Sequence, residues 1–436
     1  MRRYSVSYRV LMLFCSNALL QLMGFFYRVA LSRLADASAL GLNSLVMQIY
    51  GIVVSICISG VNVAVSATAA RTDRGEIAGL FRSALVIYTV LFSAAAAPIL
   101  LFSKQIAERA LGCAGTEGTL MLMLLCIFLT GIENVLKSLH IGTKHVKQCA
   151  LSELIEQAVR FALVILMLIK LEHADDAKTV FLIMLGMTAS EFVSVGFLTI
   201  SFRRVFGRID PVGKAPLIRP LAATAFPALL TAASSTVFAS VGSLLLPAAL
   251  IRFGMTREAA LSGIGEINTA IVPLTMLPMA FIGALSAVVM PEVSSLTAAG
   301  KSPVRLIRGS LRCAAAIGAA SAAIMLLFGG RIASFFFGFR PEAQLLAMLE
   351  LKALVIYLQV TSVAVLNGLM RQRTVLLFAA CSEAYQLALI LLLTPVFGFI
   401  GYAFSLLTGE LLRLLLGLGA IKDICKNGME INLGIC

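Results

Sequence analysis

Residues 179–204 read TVFLIMLGMTASEFVSVGFLTISFRR, an apolar run with one acid, Glu191, stopped by Arg203 and Arg204. Its apolar residues do not alternate with polar ones, so it is not a half-buried strand. It is long enough to cross a hydrocarbon core roughly 30 Å thick, which takes about 20 helical residues. Inside lipid the backbone must satisfy its own hydrogen bonds, and for a run of this kind that means helix. The same rhythm, an apolar run closed by a few Lys or Arg, repeats along the chain. Of 436 residues, 60% are hydrophobic and only 13% charged, with a mean hydropathy of +0.97. A soluble chain could not hide that much apolar surface from water.

The expected fold is therefore all-α, a polytopic membrane protein of about twelve transmembrane helices. In the first half the spans fall near residues 10–31, 42–66, 83–102, 120–139, 151–169 and 179–202. In the second they fall near 221–246, 267–289, 313–328, 351–370, 375–395 and 396–421. The first follows Arg2, Arg3 and Arg9 but is too long for a signal peptide, and no small-residue cleavage site follows it. Lys and Arg divide about two to one between alternate loops. The richer set includes Arg71, Arg74, Lys144, Lys147, the stretch from Arg203 to Arg219, Lys301, Arg305 and Lys422. The positive-inside rule makes that side cytoplasmic and puts both termini there, in the plasma membrane.

The net charge of +13 then suits anionic lipid headgroups. Spread among loops, it builds no nucleic-acid surface. Nine cysteines without a C-x-x-C read as small apolar fillers, not as a metal site or disulfide framework. Gly300-Lys301-Ser302 imitates the end of a phosphate-binding loop, but Ser295 stands where its first glycine belongs. The three histidines fall at loops, and no zinc-protease or nucleophile-elbow motif occurs, so the expectation is no enzyme and no cofactor.

The halves match each other. Shifted by 226 residues, Leu80, Arg82, Leu85, Leu101, Phe102, Ile106, Ala107 and Gly112 align without a gap on Leu306, Arg308, Leu311, Leu327, Phe328, Ile332, Ala333 and Gly338. Ser152-Glu153 echoes Ser382-Glu383. We read a parallel duplication: a six-helix lobe over 1–205, a basic linker over 206–219 and a second six-helix lobe over 220–436. Such repeats are the architecture of secondary transporters, with the substrate between the halves.

On a helix, residues at i, i+4, i+7 and i+11 share a face. In the first span that face carries Asn17, Gln21, Gly24 and Arg28; in the second it carries Ser44, Gln48, Gly51, Ser55, Ser59, Asn62 and Ser66. Small and hydroxyl residues also line ordinary interhelical contacts. The amides of Asn17, Gln21, Gln48 and Asn62 are larger than close packing needs, which favours the wall of a hydrated cavity. The fifth span carries Ser152, Glu153, Glu156, Gln157 and Arg160. A mid-span arginine costs at least ~2.5 kcal/mol on insertion scales, and Glu156, four residues earlier, can neutralise it. The group is either a structural ion pair or part of a translocation path. Glu133 and Lys137 form a similar pair nearer the cytoplasm, which reads as a solvated face.

Three stretches resemble a known family: Gly24-Phe25-Phe26-Tyr27-Arg28, Gln48-Ile49-Tyr50-Gly51 and Ser59-Gly60-Val61-Asn62. With Glu156-Gln157-Ala158-Val159-Arg160 and Pro291-Glu292-Val293-Ser294, they are similar to the stage V sporulation protein B family and its polysaccharide-flippase relatives. That branch belongs to the multidrug/oligosaccharidyl-lipid/polysaccharide (MOP) exporter superfamily. The resemblance implies two pseudo-symmetric lobes forming a V around a central cavity. It implies transport of lipid-linked sugars on a polyprenyl diphosphate by a monomer among membrane lipids, with Arg28 as a diphosphate contact. Asn17, Gln21, Gln48, Ser55, Asn62, Glu156, Gln157 and Arg160 would complete the cavity. Two alternatives are a multidrug cation antiporter on the same fold and a non-transporting scaffold for cell-wall or spore-coat assembly. The multidrug branch needs an acid in the first span, and the nearest here is Asp36, beyond its end.

Overall fold

The computed structural model describes residues 6–70, 72, 76–170, 175–207 and 218–433; the expected linker falls mostly outside them, as does the side chain of Asn17. The described regular elements are all helical. In order they are α1 (Val6–Leu34), α2 (Ala37–Cys57), α3 (Ser59–Ala69), α4 (Ile77–Leu101) and the single turn α5 (Ser103–Gln105). Then come α6 (Glu117–Gly142), α7 (Val146–Lys170), α8 (Asp176–Phe206), α9 (Ile218–Arg252) and α10 (Arg257–Glu266). The chain ends with α11 (Val272–Thr275), α12 (Met279–Ala298), α13 (Val304–Phe337), α14 (Ala343–Gly368) and α15 (Gln372–Leu433).

Eight of the described helices are by themselves long and apolar enough to cross a bilayer. One of them, α15, is two crossings: Gly398 sits at φ 59°, ψ −138° three residues after Pro395 and breaks the helix where the sequence separates its last two spans. With α1, α7 and α9, whose lengths also suffice, the architecture is the expected bundle of about twelve crossings. The second crossing is divided between α2 and α3 at Ile58 (φ −110°, ψ −41°). The eighth, expected as one helix over 267–289, is in pieces: a π-helical turn at Ile267–Ile271 that continues α10, then α11, and then α12 starting after Pro278. Proline lacks a backbone donor and its ring collides with the preceding turn, so the helix restarts there.

The aligned glycines behave alike. Gly112 (φ 62°) and Gly338 (φ 81°) each end their crossing in the left-handed conformation, which costs a residue without Cβ nothing.

The chain forms two compact units. One takes the chain through Leu244 together with Leu261–Gly265; the other has Leu245–Ala260 and everything from Glu266 on. In the first, Tyr88 of α4 is fully buried over Gly131 of α6, between Phe92 and Phe128, and its hydroxyl donates to the Ile127 carbonyl at 2.7 Å. A Cβ at Gly131 would fall on that ring. In the second, Tyr357 of α14 occupies a comparable place among Ile282, Ala314 and Ala353, with its hydroxyl on the Thr275 carbonyl. Each buried phenol has found the acceptor that its burial requires.

Candidate functional site

Three helices of the first unit carry the expected polar residues. On α1, Gln21 and Arg28 are exposed, and no described residue pairs with Arg28. Between them, a Cβ added at Gly24 would meet nothing within 4 Å. Next to this face, α1 is anchored to α7 through Tyr27 on Phe161 (centroids 6.1 Å apart) and through Leu31 beside Val164 and Leu168. On α2, Gln48 is half-buried and Gly51 again faces open space. Ser55 is buried, its hydroxyl donating to the Ile52 carbonyl of its own helix at 2.8 Å. The stripe then crosses the Ile58 break. Asn62, on α3, donates to Asn134 Oδ1 of α6 at 3.0 Å and accepts from Ser138 Oγ at 3.3 Å. The polar face is thus open around Gly24, Arg28 and Gly51 and knitted to α6 at Asn62.

The fifth-span residues lie in a larger group of charges than the sequence suggests. Arg160 of α7 pairs with Glu156 one turn away, reaches Glu191 of α8 at 3.4 Å, and donates from Nε to Ser190 Oγ at 3.3 Å. Lys137 of α6 lies 2.9 Å from Glu133, 3.5 Å from Glu153 and 3.7 Å from Glu156. Glu133 also accepts from Ser194 and, at 3.4 Å, from Ser152, while the two serine hydroxyls meet at 2.6 Å. Gln157 is half-buried beside this group on α7.

The pair Glu133–Lys137 is not the solvated face that its position near the cytoplasm suggests. Glu133 is only 2% exposed, because α7 and α8 close over it. His140, expected at a loop, is buried in α6 between the Leu136 carbonyl (2.8 Å) and Ser201 (3.2 Å). Glu133, Glu191 and the serines at 152, 190 and 194 were not among the expected site residues. The spacing of Ser190, Glu191 and Ser194, hydroxyl and acid along one stretch of an apolar helix, was the available signal. The second unit has a looser counterpart, with Arg413 3.9 Å from Glu383.

No protein-family model matches the chain. It is 22% identical over 442 residues to stage V sporulation protein B of Bacillus subtilis (strain 168), covering 97% of this chain and 84% of the relative. An inward-facing multidrug resistance MATE family transporter of the MOP superfamily superposes with a TM-score of 0.75 at 14% identity, over 94% of this chain and 96% of that one. The lipid II flippase MurJ, in an inward closed conformation, gives 0.74 at 13% identity over 94% and 87%. At such identities the solved structures speak for the fold. The chain therefore has the fold of the MOP-superfamily transporters, and its sequence resembles stage V sporulation protein B along nearly its whole length.

Proposed function

We propose that the chain is a flippase that carries a lipid-linked oligosaccharide, peptidoglycan or polysaccharide precursor across the plasma membrane by alternating access. The observation that carries this reading is the open polar face of α1 and α2. On α1, Gln21 and Arg28 flank Gly24, and on α2, Gln48 lies one turn from Gly51; a Cβ at either glycine would meet nothing within 4 Å. An uncompensated arginine in a membrane helix is expensive and marks a functional place by default. Guanidinium suits a diphosphate because its fork can meet two oxygens at once. Among the solved proteins of this fold, MurJ is a lipid II flippase.

The orientation belongs to this proposal. The cation excess puts both termini in the cytoplasm, with the monomer as the working unit. A multidrug antiporter is less well supported, since Asp36 lies between α1 and α2, at the start of the second crossing. A scaffold would have no use for the open space at Gly24 and Gly51.

The test is flipping of a polyprenyl-diphosphate sugar in reconstituted vesicles. Arg28→Ala should abolish flipping at normal protein levels and Arg28→Lys should keep part of it. Full flipping by Arg28→Ala would reduce this arginine to a headgroup anchor.

A further inference from the structure

The group on α6, α7 and α8 holds an unbalanced charge. Glu133, Glu156 and Glu191 are all buried, and one carboxylate oxygen from each lies within 4.8 Å of the others. Against them stand two cations, Lys137 and Arg160. Glu153 is 39% exposed at its side chain and is not part of this balance. One negative charge is therefore left among three buried carboxyls, at a cost of several kcal/mol. The geometry shows where the missing positive charge goes. Serines and Lys137 occupy Glu133, and Arg160 and Lys137 occupy Glu156, but Glu191 Oε2 is buried without a hydrogen-bond partner. Glu191 is itself 3% exposed.

A metal ion does not fit. Hard cations take about six oxygen ligands, and here the ammonium of Lys137 and the guanidinium of Arg160 already lie against the carboxylates that would supply them. A single free oxygen suits a proton. We propose that Glu133, Glu156 and Glu191 together hold one proton, taken from water onto Glu191 Oε2 on one side of the membrane and returned to water on the other in each transport cycle. No bond other than this O–H forms or breaks. The remaining titratable groups near it are Glu153, Tyr27, Tyr50, Cys126 and Cys149. The last four are neutral near pH 7 by their ordinary values and leave the balance unchanged. This site lies on other helices than the first-span acid of the multidrug branch.

The inference rests on the transport reading for its purpose but not for its test. Infrared spectroscopy of the reconstituted protein, without substrate, should show a protonated carboxyl band at neutral pH that loses one group's intensity in Glu191→Gln. In vesicles loaded with polyprenyl-diphosphate sugar, a gradient of one pH unit should shift the steady-state substrate ratio up to about tenfold for one coupled proton. Glu191→Gln should remove that response, while Glu153→Gln, at the exposed acid outside this balance, should retain it. An infrared band unchanged by Glu191→Gln overturns the proposal. So does flipping that follows a sodium gradient at equal pH and ignores the pH gradient. A band that behaves as expected in a protein that flips nothing would uphold the proton site and refute the flippase reading.

Discussion

Removing the Arg160 guanidinium should unfold the first unit before it affects any substrate. The side chain is 15% exposed, and its fork serves Glu156 on its own helix and Glu191 on α8, with Ser190 taking Nε. Arg160→Ala leaves Glu133, Glu156 and Glu191, with one proton among them, facing Lys137 alone. Taking one partner from a buried ion pair costs about 3–5 kcal/mol. Lys137, 3.7 Å from Glu156, relieves part of this, so the lower end applies. About 3 kcal/mol is roughly a hundredfold in the folded-to-unfolded ratio, at about 1.4 kcal/mol per decade.

Arg160→Lys keeps the charge but loses the fork, and should fall between that variant and the native chain. Arg160→Met combined with Glu156→Gln removes one charge of each sign from the pair and should recover much of the loss, a coupling that marks residues in one network. Size-exclusion profiles after graded heating in detergent, with membrane levels alongside, read all three. If Arg160→Ala shows native levels and native heat resistance, or if the double variant is no better than the single, the network is not holding α7 to α8.

Four other outcomes follow from the same geometry. Gly131→Ala puts a methyl on the buried Tyr88 ring and should destabilise by about 1–3 kcal/mol, with partial rescue by Tyr88→Leu, measured by the same heating assay. Gly60→Ala meets the Ala225 backbone carbonyl, so no side-chain substitution should rescue its heat resistance. Gly51→Ala should be silent in levels and flipping, because nothing lies within 4 Å of its Cβ, whereas Gly51→Phe should fill the space and stop flipping at normal levels. Cysteines placed at Asp175 and Ser302 should react with an impermeant reagent from opposite sides, Asp175 from outside; labelling of both from one side would contradict the assigned topology.

Much of the fold could be read in the sequence, because a bilayer leaves few ways to satisfy a backbone and each crossing declares itself by length and composition. The breaks were uneven. Pro278 and the pair Pro395 and Gly398 announce theirs chemically, while the division at Ile58 has neither a proline nor a glycine at the joint. The site was half-legible for a related reason. Helical spacing joins Glu156 to Arg160 within α7, but nothing local says that α8 brings Glu191 and Ser194 to the same place from 31 and 61 residues away. Glu133 and Lys137 look solvated in the sequence because they lie away from the span centre. What buries them is the packing of α7 and α8, which a single sequence does not express.

The central claim is that this chain moves a lipid-linked saccharide between leaflets, and flipping by the purified protein tests it most directly. Vesicles would carry a labelled polyprenyl-diphosphate sugar in both leaflets, and an impermeant enzyme outside would consume what it can reach. Empty vesicles should leave about half of the label protected. Vesicles containing the protein should leave almost none, and those containing Arg28→Ala should match the empty ones. Protection that stays at one half with well-folded native protein would contradict the account.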